Sequence, residues 1–172
     1  LLAVDGVSWR ILAEDLSAQD GLYTLALRDV NDAGTPRASL QVIGCLLGVQ
    51  VAPEDPAAVL ARIAHPVTRI VSLTVTEKGY CHDPATGALR ADHPDVLHDL
   101  ARPDAPRGTL GFVVSGLRLR QLRGLSPVTL LSLDNLPSNG HLLRGLVLDF
   151  AQRVDPQLAR WIAEHCCFPC SM

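Results

Sequence analysis

The sequence is poor in several features that would place it in a specialised class of protein. It contains no run of eighteen apolar residues, so no segment is long enough to span a bilayer. The formal net charge is only -3, without the excess of cations that nucleic-acid binding requires. Aromatic residues make up 4% of the chain, but hydrophobic residues make up 48%, which excludes a disordered chain and allows a packed core. We therefore expect a globular protein that binds neither membranes nor nucleic acid.

The cysteines do not follow a disulfide pattern. Their number is odd, five in 172 residues, and their spacing is irregular, which favours a reducing cytoplasm over secretion. Cys167 and Cys170 form a C-x2-C pair, and Cys81-His82 is the nearest equivalent elsewhere. A structural zinc site usually has a second such pair, so the sequence predicts no metal site, and a Cys/His metal-binding protein stays open as an alternative.

The N-terminal residues do not have the pattern of a secretion signal. They lack a basic region, a small-residue cleavage site and an initiator methionine. We therefore expect the chain to begin inside a longer protein.

The pattern of apolar residues predicts an α/β fold. Two extended runs, 23–30 and 38–44, flank an Asn-Asp-Ala-Gly turn and predict a β-hairpin. Downstream, apolar strands at 69–76 and 128–133 alternate with helices starting at Asp55-Pro56 and covering 94–100, 109–122, 138–150 and 156–165. Both strands are apolar nearly throughout, as in parallel sheets covered on two faces. Arg118, Arg120 and Arg123 are expected on a solvated helix face.

Two segments follow these strands and are candidates for chemistry. In open α/β sheets, ligands bind outside the carboxyl ends of the strands. One segment is 74–80, which reads Thr-Val-Thr-Glu-Lys-Gly-Tyr, and the other is 134–140, which reads Asp-Asn-Leu-Pro-Ser-Asn-Gly. From position alone, both also suit ordinary capped turns between strand and helix.

The two segments, as 72–80 and 134–140, resemble motifs of the mannitol dehydrogenase family of polyol and sugar-acid dehydrogenases. The segments 19–25 (QDGLYTL), 161–165 (WIAEH) and 168–172 (FPCSM) resemble further motifs of that family, in the same order. The resemblance implies a Rossmann-like, mostly parallel sheet with a hairpin addition. It also implies hydride transfer with NAD between a polyol or sugar acid and its ketose or keto acid.

The resemblance also implies roles for individual residues. Thr74, Glu77 and Asp134 match positions near the cofactor, and Asn135 matches the Asn that orients the substrate hydroxyls. An amide suits that role because it both donates and accepts hydrogen bonds without charge.

The sequence departs from the family pattern in ways that indicate which parts of the family's structure it lacks. The sequence contains neither the glycine-rich G-x-G-x-F turn nor the K-x4-N-x2-H pattern that carries the Lys general base, and Cys170 stands where Asn is usual. We therefore expect residues 1–172 to be a partial Rossmann domain, incomplete at its N-terminal edge. No catalytic residue is expected in it, and the missing C-terminal catalytic domain would be its partner. Alone it would be inactive; the alternative is a non-catalytic nucleotide-binding or association module.

Overall fold

The computed structural model of the protein describes residues 2–3, 7–30, 34, 36–75 and 77–172. The chain forms two compact units, Leu1–Glu54 and Asp55–Met172. Among the described residues, no helix is long and apolar enough to cross a membrane.

The first unit contains a short parallel strand pair, a helix and a hairpin. Its elements are β1 (Leu2–Ala3), α1 (Val7–Ala18), β2 (Tyr23–Val30), β3 (Pro36–Ile43) and β4 (Gln50–Val51). Strand β1 is parallel to β4, and β2 is antiparallel to β3. The predicted hairpin is confirmed, although residues 31–33 and 35 of its turn lie outside the described residues. Helix α1 was not predicted; unlike the helices predicted at Asp55-Pro56 and at 156–165, its sequence has no Pro at its start.

The second unit carries most of the predicted α/β alternation. Its elements are α2 (Pro56–Ile63), β5 (Ile70–Leu73), a 3-10 helix (Glu77–Tyr80), α3 (Pro94–Ala101), α4 (Thr109–Leu122), β6 (Thr129–Ser132), α5 (Asn139–Val154) and α6 (Pro156–His165). Helix α2 begins where the sequence predicts it, because the Asp55 carboxylate accepts a 2.9 Å hydrogen bond from the Ala58 N–H. Pro56 occupies the first helical position, where no N–H is needed.

Strands β5 and β6 are parallel, as predicted. Ile70 pairs with Thr129 and Leu73 with Ser132, and the C-terminal segment joins β6 through a parallel bridge at Cys167. The expectation that both faces of these strands are covered is wrong for β5: Val71 and Leu73 are buried, but Ile70 is 59% exposed. The burial of β5 therefore alternates with a period of two, the pattern of a strand with one covered face.

Helix α4 forms the centre of the second unit. It packs against α2, α3, α5 and α6, and ten of its residues are buried. Gly116 allows the close approach to α2, because a Cβ at that position would overlap the Ile63 side chain. The helix is therefore apolar on more than one face, as expected of a helix surrounded by other helices.

The expectation of a solvated arginine face is wrong for Arg120. Arg118 and Arg123 are exposed, but Arg120 is fully buried on α4. Its guanidinium donates at 2.6–3.2 Å to carbonyls at the end of α2, in the loop after it and before β6, namely those of Ile63, His65, Thr68 and Ser126. These five hydrogen bonds use every N–H of the guanidinium and offset the cost of burying its charge.

Candidate functional site

The carboxyl ends of β5 and β6 bring the two predicted segments together. The Leu133 N–H donates to the Leu73 carbonyl at 2.8 Å, which extends the parallel pairing one step beyond the strands. Segments 74–80 and 134–140 therefore leave the sheet side by side. This is the edge of an α/β sheet at which ligands bind.

Asp134 connects these two segments. Its Oδ2 accepts hydrogen bonds from the Tyr80 hydroxyl at 2.6 Å, from the Val75 N–H at 3.3 Å and from the Ser132 hydroxyl at 3.4 Å. Two of these donors lie beyond β5, and the third lies on β6. The carboxylate therefore fixes the position at which the chain turns away from both strands.

Tyr80 lies beneath this turn and is almost completely buried. Its hydroxyl is 2.6 Å from Asp134 Oδ2 and 3.0 Å from Ser132 Oγ. Burial raises the pKa of Tyr80 well above its ordinary value, and the hydrogen bond to the Asp134 carboxylate raises it further. The phenol is therefore neutral at physiological pH and serves as a fixed donor.

Asn139 forms the second connection of the site. It is the first residue of α5 and is buried, and the preceding Ser138 adopts the left-handed conformation, with φ of 53°. The Asn139 amide nitrogen lies 3.1 Å from the Ser132 carbonyl, 2.9 Å from the Asp134 carbonyl and 2.7 Å from Ser171 Oγ. Its Oδ1 accepts from the Ser171 N–H at 3.1 Å. One buried amide thus holds β6, the turn after it and the C-terminal segment.

Gly140 allows the C-terminal segment to reach this position. A Cβ on Gly140 would lie 2.5 Å from the Pro169 carbonyl oxygen and 2.6 Å from that of Phe168, which is too close for any side chain. The Ser171 hydroxyl donates to the Ser132 carbonyl at 2.7 Å. The segments predicted at 134–140 and 168–172 are therefore parts of one hydrogen-bonded cluster, which we call the strand-end cluster: Tyr80, Ser132, Asp134, Asn139 and Ser171.

The four residues predicted to bind cofactor or substrate lie at this edge, in different environments. Asp134 belongs to the strand-end cluster. Thr74 and Asn135 are exposed, and neither side chain makes a hydrogen bond to another described residue. Glu77 begins the 3-10 helix Glu77–Tyr80, and its side chain lies outside the described part of the structure. The edge therefore combines an internally bonded floor with polar side chains at the surface.

Sequence alone does not single out four residues of the strand-end cluster: Tyr80, Ser132, Asn139 and Ser171. Each belongs to or adjoins a motif segment, but residue type alone does not distinguish a buried, bonded Asn139 from an exposed Asn135. One available signal was the dipeptide Asn139-Gly140 at a helix start, since Gly there indicates close approach by another part of the chain.

The chain is similar in sequence to a defined family of dehydrogenases. The sequence model described as the mannitol dehydrogenase Rossmann domain matches residues 3–172. The D-mannonate oxidoreductase of Escherichia coli is 44% identical over 165 residues, which are 95% of this chain and 33% of that protein. The mannitol 2-dehydrogenase of Neosartorya fischeri is 41% identical over 163 residues, 94% of this chain and 32% of that protein. The chain thus spans about a third of the length of these relatives.

Two solved structures have the same fold. A D-sorbitol dehydrogenase in substrate-free form superposes with a TM-score of 0.89 at 38% identity, over 97% of this chain and 34% of that one. The mannitol 2-dehydrogenase of Pseudomonas fluorescens, in a ternary complex with NAD and D-mannitol, superposes with a TM-score of 0.88 at 36% identity. This match covers 97% of this chain and 33% of that one. The Rossmann-like α/β fold is therefore confirmed, and the chain belongs to the mannitol dehydrogenase family.

Proposed function

We propose that this protein acts in an NAD-dependent oxidoreductase that interconverts a polyol or sugar acid with its keto form by hydride transfer. The observation that supports this proposal most is the structural similarity of the chain, over 97% of its length, to a mannitol 2-dehydrogenase that was solved with NAD and D-mannitol. The substrate class follows the names of the relatives, which include both a mannonate oxidoreductase and mannitol dehydrogenases.

The carboxyl edge of β5 and β6 fits the reactive end of a nicotinamide cofactor. Thr74 and Asn135 are exposed there with side chains that bond to no other described residue, and Asp134 beneath them is already held by Tyr80. Such an edge presents polar groups to a ligand while the strand ends beneath it stay fixed. The 172 residues contain no glycine-rich dinucleotide turn, the motif that holds the pyrophosphate in Rossmann domains.

We assign the four residues of this edge as follows. Asn135 orients the substrate hydroxyls, since its amide both donates and accepts hydrogen bonds and is open to solvent. Thr74 and Glu77 lie on the cofactor side, at the end of β5 and the start of the 3-10 helix. Asp134 acts through its bonds to Val75 and Tyr80, which hold together the two segments that would border the cofactor.

NAD, when bound, would accept the hydride from the carbon bearing the substrate hydroxyl. A group that takes the hydroxyl proton is also needed, and we assign none of the described side chains at this edge to that role. Tyr80 is unsuited to it, because burial and its bond to Asp134 favour the protonated phenol. We therefore propose that a catalytic domain outside these 172 residues supplies the base and is the partner of this domain.

The test is an activity assay on the product of the complete coding sequence that contains this segment. The panel would pair NAD or NADP with mannitol, sorbitol, arabinitol or mannonate, and reduced nicotinamide would be followed by absorbance. We expect turnover with at least one of these substrates and preference for NAD. Turnover of none, with either cofactor, would contradict the proposed reaction.

Asn135→Ala tests the assignment of the substrate residue in the same enzyme. We expect a drop in kcat of roughly 100-fold, the scale of losing one oriented hydrogen-bond donor at a reacting oxygen, with little change in NADH affinity. Gln157→Ala, at an exposed position on α6, is the matched control and should be unchanged. Unchanged turnover in Asn135→Ala would remove Asn135 from the site.

We also propose the cytoplasm as the compartment. All five cysteines are free thiols in the structure, which is typical of proteins kept in reducing conditions. Fractionation of source cells, with the protein detected by antibody, tests this; recovery from an oxidising compartment would contradict it.

A further inference from the structure

Three side chains with metal-ligating atoms meet at a place separate from the strand-end cluster. Cys81 Sγ, a ring nitrogen of His93 and a carboxylate oxygen of Asp95 all lie within 4.8 Å of one another. The three residues are half-buried, so an ion could reach them from solvent and still lose part of its hydration shell. The proposed dehydrogenase chemistry uses none of the three.

The loop between Cys81 and His93 brings the three residues together. Cys81 takes the left-handed conformation, with φ of 50°, and the chain then forms an antiparallel bridge between His82 and Leu89. The Arg90 N–H donates to the Cys81 carbonyl at 2.9 Å, and the chain turns once more so that the His93 N–H reaches the Arg90 carbonyl at 3.0 Å. The three side chains therefore lie where loop 82–92 leaves and rejoins the rest of the unit.

Helix α3 fixes two of the three positions. His93 is its N-cap residue, and Asp95 lies in its first turn. His93 Nδ1 is 3.7 Å from Asp95 Oδ2, whereas two ligands bound to one tetrahedral zinc lie about 3.4 Å apart when each bond is about 2.1 Å. His93 Nδ1 also accepts a 3.3 Å hydrogen bond from the Asp95 N–H, so an ion bound through Nδ1 would replace this helix cap. The separation between Nδ1 and Oδ2 itself needs only a small side-chain rotation to reach the zinc geometry.

The neighbouring carboxylate of Asp99 is already in use and does not compete for this role. It accepts from the Arg107 and Gly108 N–H groups at 2.8 Å each and lies 3.0 Å from His98 Nδ1. The Asp95 carboxylate is half exposed, and among the described residues its one ion-pair neighbour is His93. The available donors are thus one sulfur, one nitrogen and one oxygen, a set that suits Zn²⁺ and leaves one position for water.

We propose that Cys81, His93 and Asp95 bind one Zn²⁺ ion at the base of loop 82–92. A thiolate and a carboxylate together balance the charge of the ion, and the thiol proton passes to solvent on binding. The ion holds together two chain positions that are separated by the loop, so it restricts the loop in the folded state. This site differs from the C-x2-C pair at Cys167 and Cys170, whose sequence spacing also resembles that of metal ligands.

The test is metal binding by the full 172-residue chain after treatment with a chelator. Zn²⁺ is titrated by calorimetry, and Co²⁺ is titrated by absorption spectroscopy, which detects a thiolate-to-cobalt charge-transfer band. We expect one equivalent of either ion and the thiolate band. We also expect bound Zn²⁺ to raise Tm, because an ion that binds only the folded chain stabilises it by mass action.

Matched variants then locate the site. Cys81→Ser should abolish the thiolate band and weaken Zn²⁺ binding by at least roughly tenfold, and Asp95→Asn should weaken it similarly while keeping the band at higher Co²⁺ concentration. The double variant Cys167→Ser/Cys170→Ser, at exposed positions, should bind as the parent does. Asp95→Asn keeps the shape of a half-exposed side chain, so it remains informative if Cys81→Ser fails to fold.

Three outcomes would overturn the proposal. They are no stoichiometric binding by the parent chain, binding that survives in both Cys81→Ser and Asp95→Asn, and binding that is lost in the Cys167→Ser/Cys170→Ser control. None of these measurements uses dehydrogenase activity, so the zinc proposal and the proposed function can fail independently.

Discussion

The two units of the chain use apolar strand residues in opposite ways. In the first unit, hairpin strands β2 and β3 are exposed along nearly their whole length, with Leu40 75% exposed and Val42 67% exposed. In the second unit, Leu130 on β6 has no exposed surface, and the helices around it bury Val147 and Ile162 completely. Similar apolar strand sequences thus lie in solvent in one unit and in a core in the other.

The difference shows what holds each unit together. The hairpin is an antiparallel ladder from Tyr23 opposite Ile43 to Val30 opposite Pro36, and its described residues gain little from burial. The second unit combines an apolar core with buried polar groups that are fully bonded, such as Arg120 and Asn139. We therefore expect substitutions in the second unit to affect stability far more than matched substitutions in the hairpin.

Among the substitutions proposed below, replacement of Arg120 should lower the free energy of unfolding of the second unit the most. Arg120→Met keeps much of the volume but leaves the carbonyls of Ile63, His65, Thr68 and Ser126 without this donor. We expect a loss of about 3–5 kcal/mol in the free energy of unfolding, because each buried group left unsatisfied costs about 1–3 kcal/mol and relaxation recovers part. Urea unfolding followed by circular dichroism measures it.

Arg118→Met is the matched control for that substitution. Arg118 lies on the same helix, two residues away, and is exposed. A change within about 0.5 kcal/mol is expected there. Equal effects of the two substitutions would mean that Arg120 does not have the buried, bonded role seen in the structure.

A matched pair of leucines compares the two units directly. Leu130→Ala on buried β6 should cost about 2–5 kcal/mol, because it removes apolar contacts and leaves a cavity. Leu40→Ala on exposed β3 should cost less than about 1 kcal/mol, since little apolar surface returns to water. Thermal unfolding of both variants gives the comparison, and a larger loss in Leu40→Ala would reverse our account of the hairpin.

Much of the fold was predictable because strong local signals mark its elements. The Asp55-Pro56 helix start, the hairpin runs and the helix Pro156–His165 all lie where caps and apolar spacing place them. Helix α1 has no Pro at its start, and the nearly continuous apolar sequence of β5 does not reveal that only one of its faces is covered. The sequence does not show whether an arginine lies on a solvated face or in a core. The burial of Arg120 depends on carbonyls of residues that are distant along the chain, and the local sequence does not reveal them.

The site was predictable in position more than in detail. The ends of the two parallel strands could be located from the apolar runs, and they do lie side by side, with Asp134 joining them. The roles of Thr74, Glu77, Asp134 and Asn135 stay predictions. The strand-end cluster depends on contacts between residues about 30 to 50 positions apart, such as Asn139 with Ser171 and Tyr80 with Ser132, and one sequence does not show such pairs.

Two glycines on α5 differ in their surroundings: the C-terminal segment packs closely against Gly140 but not against Gly145. Gly140→Ala would place a Cβ against the carbonyls of Phe168 and Pro169, and we expect a loss of about 1–3 kcal/mol as the C-terminal segment is displaced. A Cβ in Gly145→Ala would meet no described residue within 4 Å, and we expect a gain of about 0.5–1 kcal/mol, because Ala favours the helix. The two variants are compared by Tm, and stabilisation by both would show that the C-terminal segment does not pack at Gly140.

The two tyrosines compare the units through the smallest expected losses in the free energy of unfolding. Tyr80→Phe removes the buried hydroxyl that bonds Asp134 and Ser132, and we expect it to cost about 1–2 kcal/mol. Tyr23→Phe, on the exposed hairpin, should cost less than about 0.5 kcal/mol. Urea unfolding at neutral pH measures both effects, and similar costs for the two would place the Tyr80 hydroxyl outside the cluster.

The pH dependence of unfolding separates the Tyr80 hydroxyl from general packing. Because the pKa of Tyr80 is raised in the folded state, its stabilising contribution is complete below the ordinary tyrosine pKa of 10.0 and is lost as the pH rises above that value. In that range the unfolded chain releases the tyrosine proton and the folded chain keeps it. The parent chain should therefore lose stability above about pH 10 more steeply than Tyr80→Phe does. Identical slopes for the two proteins would mean that the phenol is not held protonated by burial and by Asp134.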